Sequence, residues 1–124
     1  MKLAFDENLP PKVAQVLALL DFPVIHVLDE LPRGTLDQDL FQEAVKRDWI
    51  LVTHDKGMWK KKGHRQALMQ SGAGVFVLVS SAANSPPELT TLLLRRLPEM
   101  LTLAQKTKRP FVLRVPDRGK IGPF

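Results

Sequence analysis

An α/β fold built on a mainly parallel sheet is predicted by three features of this chain. Short apolar runs alternate with segments whose apolar residues recur at helical spacing. Aspartates close two of those runs, at Asp6 and Asp55, and Asp37 opens the helical segment that leads into the second. Residues 75–79 are apolar at every position, as suits a strand covered on both faces.

The first strand is expected over residues 2–6. Asn8 can cap a helix that starts near Pro10, because proline is tolerated in a first turn, and Val13, Val16, Leu17 and Leu20 make its apolar stripe. A short strand follows at residues 24–27, then a loop over 28–34 with Pro32 and Gly34 as breakers. Thr35 and Gln38 form a capping-box pair, which predicts a helix over residues 36–47 with Leu36, Leu40, Phe41, Ala44 and Val45 inward. On that helix Asp37 falls one turn before Leu40, Phe41 and Ala44, whereas Asp39 falls with Gln42, Glu43 and Lys46. Periodicity therefore turns Asp37 inward and Asp39 toward water. The third strand is Trp49–Thr53 and the fourth covers residues 75–79, with a short helix over 64–71 between them. Ser85, Pro86 and Glu88 read as a capped helix start. That helix reaches about Ala104, and Pro98 is expected to kink or split it. A last strand spans Phe111–Val115, and residues 116–124 read as irregular.

The chain has 124 residues, so one domain over residues 1–124 is expected, large enough to bury a core without staples. It has no cysteine, which excludes disulfides and thiolate metal sites. No run approaches a membrane span, and the N-terminus lacks the apolar region of a signal peptide, so a cytoplasmic protein is expected. The net charge is +5 and the isoelectric point is near 9.8. A basic surface around an acidic pocket suits a polyanionic substrate.

If the runs ending at Asp6 and Asp55 are neighbouring parallel strands, Asp6, Asp37 and Asp55 meet at one sheet edge, where open α/β sheets build their sites. Any one of the three alone is as readily a cap or turn residue. Together, without matching cations, they call for a hard ion such as Mg²⁺.

Residues 37–55 open with an aspartate on a helix, carry Ala44 two turns later, and end an apolar strand in Thr53-His54-Asp55. This stretch resembles the second half of PIN-domain ribonucleases. Phe5-Asp6-Glu7-Asn8-Leu9-Pro10 resembles the first strand of the compact PIN-like subfamily found as toxin components, and Arg109-Pro110-Phe111 resembles the ending of some of them. Asp6, Asp37, Thr53 and Asp55 match the family pattern residue by residue. The resemblance implies a three-layer α/β/α PIN-like domain with a mostly parallel sheet of about five strands. It also implies a Mg²⁺- or Mn²⁺-dependent endoribonuclease, the toxin of a type II toxin–antitoxin pair. Longer PIN domains carry a further acidic residue on a helix before the Asp37 position. Here that region is short, and Asp29, Glu30, Asp39 or Glu7 are the stand-ins.

In that reading Asp6, Asp37 and Asp55 hold the ion, directly or through water. The ion polarises the scissile phosphate and activates a water for in-line attack. The resemblance implies 5′-phosphate products. Thr53 orients Asp55 or a water. Asn8 hydrogen-bonds Asp6, contacts substrate, or serves only as the helix cap. Lys56 is the candidate phosphate contact, and Lys60, Lys61, Lys62 and Arg65 can track an RNA backbone, although such runs are often plain solvated surface. Trp59 can stack on a base or pack under its loop. His54 points away from Asp55 along an extended strand, and His26 and His64 show no metal-ligand spacing. A small antitoxin would cover the acidic pocket, inserting a basic side chain. A homodimer is also expected, from apolar faces of the helix over residues 86–104.

Three other readings stay open. A phosphoacceptor receiver domain would use Asp6-Glu7, Asp55, Ser80 and Lys108-Arg109-Pro110-Phe111, but a receiver needs a strand leading into its lysine. A PIN-like module without catalysis would bind RNA or a protein. A nuclease acting on DNA is the third.

Overall fold

The computed structural model describes residues 1–54 and 62–124. Asp55, Lys56, Trp59, Lys60 and Lys61, and the expectations placed on them, lie outside the described residues.

Strands β1 (Lys2–Phe5), β2 (Val24–His26), β3 (Trp49–Thr53), β4 (Gly74–Leu78), β5 (Phe111–Val115) and β6 (Gly122–Pro123) form one sheet in the order β2-β1-β3-β4-β5-β6. The first five run parallel, and β6 pairs antiparallel with β5. The tail was expected to be irregular; instead it returns as β6, and the parallel group of five gains a sixth strand. Helices α1 (Pro11–Leu19) and α4 (Pro86–Lys106) pack on one face, and α2 (Asp37–Arg47) and α3 (Lys62–Ser71) on the other, giving three α/β/α layers. No helix of the described residues is long and apolar enough to cross a membrane.

Strand pleating divides the core between the two faces. Leu3, Phe5, Ile50, Val52, Phe76 and Leu78 point to α1 and α4. Ala4, Leu51, Val75 and Val77 point to α2 and α3. Because both faces are covered, β3 and β4 are buried at every position. Gly74 belongs to β4 because Phe111 crosses it: a Cβ there would lie 2.5 Å from the Phe111 ring and 3.0 Å from Ile50 Cδ1.

Several helix expectations need correction. α1 begins at Pro11 with Pro10 as its N-cap and no side-chain cap, so Asn8 does not cap it. Its buried residues are Val13, Ala14 and Leu17, whereas Val16 and Leu20 are exposed. The true stripe is narrower because α1 covers only the β1–β2 end of the sheet. The Thr35–Gln38 capping box is absent: Leu36 is the N-cap, without a side-chain bond, and the Thr35 hydroxyl donates to Pro32 O at 2.7 Å. Leu36 and Val45 are exposed, leaving Leu40, Phe41 and Ala44 as the inward face.

Pro98 does not split α4, which runs unbroken from Pro86 to Lys106. A proline frees the carbonyl four residues earlier. Here that residue is Leu94, on the exposed side, where water can take up the carbonyl. The apolar face of α4 also finds its cover within the chain: Leu89, Leu92, Leu93, Leu97 and Met100 are buried on the sheet. Each such side chain contributes roughly 1.5–3 kcal/mol relative to exposure.

At the N-terminal edge of the strands, Asp48 closes α2 in a left-handed conformation (φ 57) and accepts from Arg109 Nη1 at 2.9 Å. The Arg109 hydrogen bond holds the Asp48 carboxyl below its ordinary range, with the α-amino group of Met1 adding to the effect.

Candidate active site

The chain leaves β1 for β2 on one side and later returns to β3 on the other, so the strand order reverses between β1 and β3. The crevice outside the C-terminal ends of these strands is where such sheets bind ligands. Asp6 and Thr53 stand at that place. The Asp6 amide extends the ladder by one bond, donating to Val52 O at 3.0 Å, which sets Asp6 beside Thr53. Pleat alternation turns both toward α2 and α3, the side shared by Ala4 and Leu51. Both are buried, Asp6 at 5% and Thr53 at 2% exposure.

The turn after β1 is held by its own polar groups. Asp6 Oδ1 accepts from the Asn8 amide at 3.1 Å, and Asp6 O accepts from the Leu9 amide at 3.1 Å. The Asn8 contribution to Asp6 therefore comes from its backbone, and its side chain is left on the exposed surface. His26, at the end of β2, ties this turn to its neighbour. Its Nε2–H donates to Leu9 O at 2.8 Å while Nδ1 accepts from the Leu28 amide at 3.1 Å, which fixes the neutral tautomer. Glu7 Oε2 accepts from the Gly34 amide at 3.1 Å, drawing the following loop over the turn. Gly34 has φ +83, a conformation that glycine adopts without steric cost.

Asp37 enters from the first turn of α2, half-buried, while Asp39 is exposed. A cavity of ≈ 90 Å³ lies between Asp37 and the end of β1. Asp6, Glu7 and Asp37 supply its acidic side, Asn8 and Thr35 add polar groups, and Leu28, Leu31, Pro32 and Leu40 form an apolar wall. Thr53 and Asp39 do not line it, and neither does any lysine, arginine or histidine among the described residues. Outside the cavity, His64 Nδ1 of α3 lies 3.7 Å from Asp37 Oδ2. Arg65 is exposed on the same helix. Among the described residues, no group of three or more acidic or histidine side chains is gathered closely enough to hold a metal ion.

A family profile described as "PIN like domain" matches residues 1–80, the segment that carries β1 through β4 and every residue just named. The chain belongs to the PIN-like domain family. PIN-like domains are generally nucleases, which makes hydrolase chemistry the broad expectation for the site. No match emerges among curated proteins or solved structures.

The topology of this PIN-like domain also removes the receiver reading. Lys108, Arg109 and Pro110 lead into β5, so they stand at the N-terminal edge of the strands, opposite Asp6. Ser80, the other residue of that reading, caps a short 3₁₀ turn by accepting from the Ala82 amide, and its hydroxyl donates to Asp117. Sequence reasoning missed His26 and the His64–Asp37 approach. A histidine ending the otherwise apolar Val24-Ile25-His26-Val27 run was the available signal for the first. The second depends on how α2 and α3 pack, which no local pattern shows.

Proposed function

We propose that this PIN-like domain is a metal-dependent endoribonuclease and the toxin of a type II toxin–antitoxin pair. The observation that carries the reading is the cavity at the β1–β3 switch point, where Asp6 and Asp37 arrive from separate elements and Glu7, Asn8 and Thr35 add further polar groups. Carboxylates brought from distant parts of a chain to one small cavity are what phosphate chemistry through a hard ion requires.

The donor set fits a hard divalent ion, since the polar lining is all oxygen donors and Asn8. Asp6 and Asp37, with Asp55, would hold Mg²⁺ or Mn²⁺, and Glu7, which lines the same cavity, would serve through water. When bound, the ion would supply charge neutralisation at a phosphate and a water of lowered pKa. The chain's own residues would do the rest. Thr53, buried beside Asp6, would position the neighbouring carboxylates. Lys56, Lys60, Lys61 and Arg65 would hold the RNA backbone, in keeping with the net charge of +5. Asn8, at the cavity mouth, would meet the substrate. The apolar wall of Leu28, Leu31 and Pro32 would exclude water from one side of the site. An antitoxin would close the same cavity with a basic side chain.

The test is cleavage of single-stranded RNA in Mg²⁺ or Mn²⁺. Asp6→Asn is expected to lower the rate at least about a thousandfold, with the fold retained by circular dichroism, and chelation of the metal is expected to do the same. Full activity in Asp6→Asn would overturn the reading. RNA retention without cleavage in either metal would favour a PIN-like binding module, and cleavage confined to DNA would redirect the substrate.

A further inference from the structure

His64 occupies the first turn of α3, one turn before Ala67 and Leu68, which pack into the α2/α3 side of the core. A helix places such residues on one face, so His64 is aimed at α2. There its Nδ1 lies 3.7 Å from Asp37 Oδ2, with the two side chains about one-third exposed, at 33% and 31%. The nitrogen itself is out of water and has no hydrogen-bond partner among the described residues. Such an atom is seldom left unmatched unless a small movement or a ligand completes it. The acceptor 3.7 Å from it is a carboxylate assigned above to a cation.

We propose that His64 is a positioning residue for Asp37. Its Nδ1–H engages Asp37 Oδ2 and so leaves Oδ1 for the cavity. Held this way, the carboxylate presents one oxygen in a fixed direction instead of sweeping both through solvent, which is how outer hydrogen-bond partners sharpen metal sites. The proposal rests on the metal-site reading, and it explains a feature that reading does not use: a histidine placed outside the cavity yet pointed at one of its carboxylates. The pairing joins α3 to the site, so the helix that follows the third strand takes part in shaping Asp37.

Two measurements on the full chain test this and keep its failure apart from that of the metal reading. The first needs no metal. Long-range ¹H–¹⁵N NMR of the imidazoles is expected to show a proton on His64 Nδ1, and Asp37→Asn is expected to shift the His64 resonances. A bare Nδ1, or resonances indifferent to Asp37→Asn, overturns the proposal. The second is Mn²⁺ binding followed by electron paramagnetic resonance. His64→Ala is expected to weaken binding about 10–100-fold. His64→Asn, whose amide nitrogen falls near the position of Nδ1, is expected to recover most of that loss, and His64→Gln, whose nitrogen falls near Nε2, is not. Equal Mn²⁺ affinity in wild type and His64→Ala overturns the proposal, as does equal recovery by Asn and Gln. Wild-type protein that takes up no Mn²⁺ overturns the metal reading and this proposal with it.

Discussion

His26 carries more of the site's geometry than its bland position suggests. Both ring nitrogens are committed to backbone groups of two different loops, and the residue is 1% exposed. His26→Leu would leave Leu9 O and the Leu28 amide buried without their partners, so unfolding free energy is expected to fall by roughly 2–4 kcal/mol. Urea unfolding followed by circular dichroism checks it, and a loss below about 1 kcal/mol would show that water replaces the ring. Asp6 and Asp37 were legible at this scale because each sits where an apolar pattern begins or ends, and chain polarity then carries both to one edge. The roles of His26 and His64 were not legible. His26 reaches a carbonyl 17 residues away and His64 approaches a side chain on another helix, and neither leaves a trace in local spacing.

The five parallel strands were read to within a residue, because alternation and apolar runs survive whatever packs on them, whereas the two-residue β6 was missed. Caps and helix faces fared worse. Thr35 and Gln38 have the composition of a capping box, yet Thr35 instead closes its own turn onto Pro32. Val16, Leu20, Leu36 and Val45 are apolar at helical spacing and still face water, since each helix buries only the part of its stripe that meets the core. Pro98 shows how context overrides propensity. α4 tolerates it because Leu94 and Pro98 both lie on the solvent side, while the anchoring leucines lie on the other. Pro98→Ala would restore an amide at a position already helical. It is expected to stabilise the protein by about 1–3 kcal/mol, read as a rise in melting temperature. An unchanged or lowered melting temperature would mean that the proline's constraint on the unfolded chain outweighs the missing bond.

Across the whole molecule, the family match ends at residue 80 but the fold does not. β4 is buried at every position, with β5 along its far side and α4 over one face. Arg96 reaches from α4 to Gly119 O at 2.7 Å, fastening the tail that becomes β6. A chain ending at Ser80 would expose β4 and lose the five large α4 side chains, so it is expected to remain unfolded or aggregate, as judged by circular dichroism and light scattering. A soluble, cooperatively melting fragment would refute this. The outermost strands have a consequence of their own. β2 has 3 residues and β6 has 2, so either flank of the sheet offers a visiting strand little to zip onto. Fibre-like stacking of one copy on the next is thereby discouraged.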